Sequence, residues 1–95
     1  MLIRSQDKTA LVKFENIVVN LKFPNSLKVI CWSLQDAQRS GGYLILGEYS
    51  TKAKAMKVLD MIQKCYEGYE IERIYKEGIF KIETFRMPED SEVEV

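Results

Sequence analysis

Three lysines, Lys52, Lys54 and Lys57, follow directly on Ser50 and Thr51, where a hydrophobic strand pattern gives way to a helix pattern. The free backbone N–H groups of a helix start, together with lysine ammonium groups, are what a phosphate, a nucleic-acid backbone or an acidic protein surface binds. The same lysines stand at the positive end of the helix macrodipole, which disfavours a cation by about 0.3–1 kcal/mol. A bound anion would offset that cost, as would pairing with Glu48 or the acidic C-terminal segment; otherwise the side chains splay into water. A second group, Trp32, Tyr43, Tyr49, Tyr66, Tyr69 and Tyr75, is rich enough in aromatic surface for a contact patch and equally suited to filling a small core. Of these, Tyr69 and Tyr75 are expected at the surface. Exposed together on a strand, they would invite a partner strand or a second subunit.

The remaining chemistry is sparse. Histidine is absent, which removes serine–histidine and cysteine–histidine nucleophilic systems and the main ligand of common zinc sites. Arg4, Asp7 and Lys8 form a charged cluster, but turn chemistry accounts for them. The nine acids from Glu67 onward lack the Asp/Asn-Gly spacing of a calcium loop. Cys31 and Cys65 stand alone, one in a strand pattern and one in a helix pattern, and read as small buried hydrophobes. No residue is assigned a catalytic, cofactor-binding or metal-binding role, and the chain is expected not to be an enzyme.

The formal net charge of zero conceals a split: residues 1–66 hold ten Lys/Arg against five Asp/Glu, and residues 67–95 hold four against nine. A basic body with an acidic end can neutralise itself, pair with a second copy, or present two faces to two partners. Nucleic acid is the less favoured partner, since the chain is neutral overall and lacks the aromatic–basic motifs of common RNA-binding folds. No apolar run approaches the roughly 20 residues that cross a bilayer. The N-terminus lacks the order of a secretory signal, so a cytoplasmic protein without membrane association is expected.

These residues need elements to position them. Leu2 to Ser5 and Ala10 to Phe14 read as a hairpin about the polar turn Gln6-Asp7-Lys8-Thr9. Ile17, Val19, Leu21 and Phe23 alternate with Val18, Asn20 and Lys22, the period of a strand with one buried face. Pro24-Asn25-Ser26 stops that strand, and Leu27 to Leu34 follows as one that is apolar on both sides, hence central or covered twice. Gln35 to Gly42 has the composition of a mobile loop. Tyr43 to Tyr49 is a fifth strand, and it delivers a helix over about 51–67 whose stripe is Ala55, Val58, Leu59, Ile62, Cys65 and Tyr66. Ser50 or Thr51 can cap it, without the acid that completes a capping box. Gly68 is expected to end the helix. Tyr69–Tyr75 and Ile79–Phe85 then read as strands about Lys76-Glu77-Gly78, although Glu70, Glu72 and Arg73 also suit a continued helix.

Ile3-Arg-Ser-Gln-Asp-Lys, Leu46-Gly-Glu-Tyr-Ser-Thr, Lys57-Val-Leu-Asp-Met-Ile-Gln and Phe85-Arg-Met-Pro-Glu-Asp resemble a family of small proteins of unknown function found in Gram-positive bacteria and their phages and prophages. The resemblance implies an accessory role and carries over no catalytic or binding residue. It departs from the family pattern in the first helical turn, often acidic there and lysine-rich here.

The expected architecture is therefore one α+β domain over residues 1–86 with an acidic, frayed tail over 87–95. Its core would be a bent antiparallel sheet of five to seven short strands, a roll or pleckstrin-homology-like barrel, with one main helix packed on it. The expected function is protein binding, self-association included. The alternative is an anionic-ligand or nucleic-acid module built on Lys52, Lys54 and Lys57.

Overall fold

A computed structural model of the chain describes residues 1–33, 42–75 and 84–95, with side chains described outside 69–75. The fold is α+β, with six short strands and one long helix among the described residues, in the order β1 (Leu2–Arg4), β2 (Leu11–Lys13), β3 (Ile17–Leu21), β4 (Lys28–Ser33), β5 (Tyr43–Glu48), α1 (Lys52–Tyr75) and β6 (Thr84–Arg86). Hydrogen bonding groups the described strands as two open sheets of three, β2-β1-β6 and β3-β4-β5, instead of the single bent sheet or barrel expected. The break comes at Phe14–Asn16, a single 3-10 turn between β2 and β3. There Phe14 N–H closes back on the Met1 carbonyl and the N-terminal ammonium meets the Glu15 carboxylate, so the chain turns out of the first sheet.

Only one of the two sheets is wholly antiparallel. The β3-β4-β5 meander is antiparallel, but β6 runs parallel to β1 with Ile3 opposite Phe85. Parallel neighbours need a long crossover, and here most of the chain, α1 included, separates them. A bulge between Val29 and Ile30 shifts the β4–β5 register. Beyond it, Gly47 lies where an added Cβ would come within 3.0 Å of the Tyr49 hydroxyl, so only glycine lets that ring pass.

The anticipated helix stripe is the one that packs. Ala55, Val58 and Ile62 are buried with Ile3, Val29, Cys31, Leu46 and Tyr49, while Leu59, Cys65 and Tyr66 pack against that cluster. Period 3.6 on the helix and period 2 on β3 and β4 thus meet in one core. Thr51 caps the helix, its Oγ1 accepting the Lys54 N–H at 3.1 Å.

Two boundaries differ from expectation. The helix does not end at Gly68 but continues to Tyr75, so residues 69–75 are helical and not a strand. Gly68 is exposed with open space around it, and the helix formers Glu67, Glu70, Glu72 and Arg73 outweigh its cost. Residues 87–95 also depart from a frayed tail: Met87 and Val93 are buried in the core, and Glu89 with Glu92 forms a reciprocal capping box about the 3-10 turn Asp90–Glu92. Two apolar residues placed among the acids anchor that segment. The loop read at Gln35–Gly42, apart from Gly42 itself, and the turn and strand start at Lys76–Glu83 lie outside the described residues; of the last strand, Thr84–Arg86 is observed.

Candidate functional site

At the helix start, the three lysines do not converge. Lys54 turns to the C-terminal segment, its ammonium donating to the Asp90 carbonyl at 3.0 Å and to Asp90 Oδ2 at 3.3 Å. The other carboxylate oxygen of Asp90 accepts the Ser50 N–H at 2.7 Å. These contacts, the Ser50 N–H first among them, hold the Asp90 carboxyl below the usual range. Asp90 is thus an internal anion at the positive end of α1, and it offsets the unfavourable lysines. Lys52 and Lys57 remain exposed.

Around this junction Gln6 acts as a polar staple. Its backbone N–H bonds the Leu46 carbonyl at 2.7 Å, its Oε1 accepts the Glu48 N–H at 3.0 Å, and its Nε2 donates to the carbonyls of Glu48 and Pro88. One side chain therefore imitates a strand edge and joins the first hairpin to β5 and to the C-terminal segment. Tyr49, inside, donates its hydroxyl to the same Pro88 carbonyl at 2.8 Å. Burial, then the negative charges of Glu89, Asp90 and Glu92, raise the Tyr49 phenol well above its ordinary pKa.

The remaining sequence candidates resolve as structure. Asp7 accepts from the Ser5 hydroxyl and from the N–H and hydroxyl of Thr9, contacts that lower its pKa to about 2. Arg4 caps the Lys8 carbonyl from two nitrogens, and Lys8 adopts φ 68°. That cluster is a turn. Cys31 is buried, which raises its thiol pKa, and Cys65 is half-buried. Tyr66 packs on Phe14, ring centroids 4.8 Å apart. The side chains of Tyr69 and Tyr75 lie outside the description, and both residues are helical. Among the described residues no group of three His, Cys, Asp or Glu side chains could hold a metal, and no helix is long and apolar enough to cross a membrane.

What the sequence reading did not single out is the outer face of the β3-β4-β5 sheet. Register places Val18, Trp32 and Tyr43 in one row across it, then Asn20, Ile30 and Ile45, then Lys28 beside Glu48. Trp32 Nε1 donates to Asn20 Oδ1 at 2.6 Å, and the Trp32 and Tyr43 rings lie 5.5 Å apart. The Lys22 ammonium sits 4.9 Å from the Tyr43 ring centroid, and by hydrogen bonding and charge it lowers that phenol's pKa. Ile30 is buried on this face, yet Val18, Tyr43 and Ile45 are 47%, 38% and 41% exposed. The signal was present in the two-sided apolar pattern of β4. It showed that a second face needed cover without showing which residues of β3 and β5 shared it.

Compared with protein-family models, with curated proteins and with solved structures, the chain finds no match in any of the three.

Proposed function

We propose that the protein is a non-enzymatic accessory protein of the phage or prophage type that works through protein contacts, its own copies among them. The observation that carries this reading is the partly exposed apolar face of Val18, Tyr43 and Ile45, which runs to the outer edge of β5. Gln6 occupies that edge at Leu46 and Glu48, whereas among the described residues no strand pairs with it from Tyr43 to Ile45. An open edge next to exposed Tyr43, Leu44 and Ile45 suits addition of a strand from a second chain. The resemblance to small phage and prophage proteins supports the accessory role, and the shortage of catalytic groups agrees with it.

The anion-site alternative at Lys52, Lys54 and Lys57 has less support, because Asp90 already engages Lys54 and the Ser50 N–H. Size-exclusion chromatography with light scattering tests self-association. The wild type is expected to dimerise at high micromolar concentration, and Ile45→Lys is expected to return it to monomer. A wild type that stays monomeric at that concentration refutes the self-association.

A further inference from the structure

The tip of the β3–β4 hairpin holds a cleft of about 230 Å³, walled by the apolar groups of Phe23, Pro24 and Leu27 and rimmed by Lys22 and Lys28. The space equals roughly eight water volumes, enough for a ring system. Lys22 N–H bonds the Lys28 carbonyl at 2.9 Å, so the two lysines stand directly opposite each other across the strand pair. Like charges in that arrangement repel. Among the described residues neither closes an ion pair; the Lys22 ammonium lies 4.9 Å from the Tyr43 ring centroid, and Glu48 is the cross-strand neighbour of Lys28. Beside them the Phe23 ring is 86% exposed, the most exposed of the large apolar side chains described.

We propose that this cleft binds a nucleotide unit, the phosphate held by Lys28 and by the Lys22 ammonium, which swings from the Tyr43 ring to meet it, and the base stacked on Phe23. Two adjacent lysines match a phosphate dianion as point charges, and an exposed aromatic face stacks any base without regard to sequence. Glu48, in the same lining and the cross-strand neighbour of Lys28, accepts from a sugar hydroxyl or a base amine, which fixes the orientation. The site lies at the hairpin tip and goes beyond the protein-contact reading.

Free nucleotides and single-stranded nucleic acid carry the same unit, and separate titrations distinguish them. Full-length protein is titrated by calorimetry with AMP, a twelve-residue oligo-dT and inorganic phosphate, and also with an oligo-glutamate peptide. AMP or oligo-dT is expected to bind at least about tenfold more tightly than phosphate, and Phe23→Ala is expected to abolish that margin. Tighter binding of AMP identifies a free nucleotide as the source. Tighter binding of oligo-dT that weakens roughly sevenfold between 50 and 200 mM salt, as two phosphate contacts require, identifies a strand. Lys22→Gln with Lys28→Gln removes binding in either case, while Lys52→Gln with Lys57→Gln, at the helix start and outside the cleft lining, leaves it unchanged. The exposure of Phe23 keeps its variant folded, which circular dichroism verifies. The proposal is overturned if AMP and oligo-dT fail to bind at millimolar concentration, if phosphate or oligo-glutamate binds equally well, or if Phe23→Ala has no effect. None of these outcomes depends on whether the protein dimerises.

Discussion

Replacing Tyr49 by Phe removes one oxygen from the core and tests how the C-terminal segment is held. Tyr49 is 2% exposed and its hydroxyl donates to the Pro88 carbonyl at 2.8 Å. That carbonyl keeps a second donor, Gln6 Nε2 at 3.1 Å, so it is not orphaned in the variant. The loss at neutral pH should therefore be that of one ordinary hydrogen bond, about 1 kcal/mol. Alkaline pH should reverse the order. Burial and three neighbouring acids raise the Tyr49 pKa in the folded state, whereas an unfolded tyrosine ionises near about 10. Because the folded pKa is the higher, the contribution is complete below that pH. Above it the unfolded chain binds fewer protons than the folded one, and the contribution declines as pH rises. Wild-type stability should then fall by about 1.4 kcal/mol per pH unit more steeply than that of the variant. The initial deficit of about 1 kcal/mol closes, and the curves cross near about pH 11. Urea denaturation between neutral pH and about pH 11.5, followed by fluorescence of the single tryptophan, Trp32, measures both curves. Parallel curves across that range would refute the reasoning, because they would mean that Tyr49 ionises as readily folded as unfolded.

Two further substitutions probe the departures from the sequence reading. Gly68→Ala should stabilise the protein by about 1 kcal/mol in thermal or urea denaturation, since the residue is exposed, helical and surrounded by open space; a loss of stability would mean that the helix ends there after all. Gln6→Ala should cost about 1–3 kcal/mol by the same measurement, as it strips the Glu48 N–H and the Pro88 carbonyl of a partner. It should also speed amide exchange at Glu48, and unchanged exchange there would show that the staple is dispensable.

Much of the architecture was legible because it is local. The stripe Ala55, Val58, Ile62 on α1 and the alternation of β3 follow from helical and strand periods that each segment carries within itself. The helix end was ambiguous in the sequence, because Gly68 is a common stop signal while Glu70, Glu72 and Arg73 suit a continued helix, and the helix continues to Tyr75. The C-terminal segment departs from its reading for a related reason: its acids are visible in any window, but the burial of Met87 and Val93 depends on a core assembled from distant strands and α1. The lysines do fall at the start of α1, where the sequence placed them. Their compensation comes from Asp90, 36 residues away from Lys54, a distance at which no spacing rule operates.

The sequence by itself determined the α+β class, the helix face that meets the core and the absence of histidine chemistry, since each depends on residue type and short-range period. Tertiary structure alone decided the two-sheet division, the parallel return of β6 to β1 and the filling of the helix start by Asp90. It also decided which side chains share the outer sheet face and the hairpin tip, where Lys22 and Lys28 stand opposed beside Phe23. The reason is physical: register and crossover set these neighbours through long-range backbone pairing, and the residues that meet there carry no mark of one another in the chain.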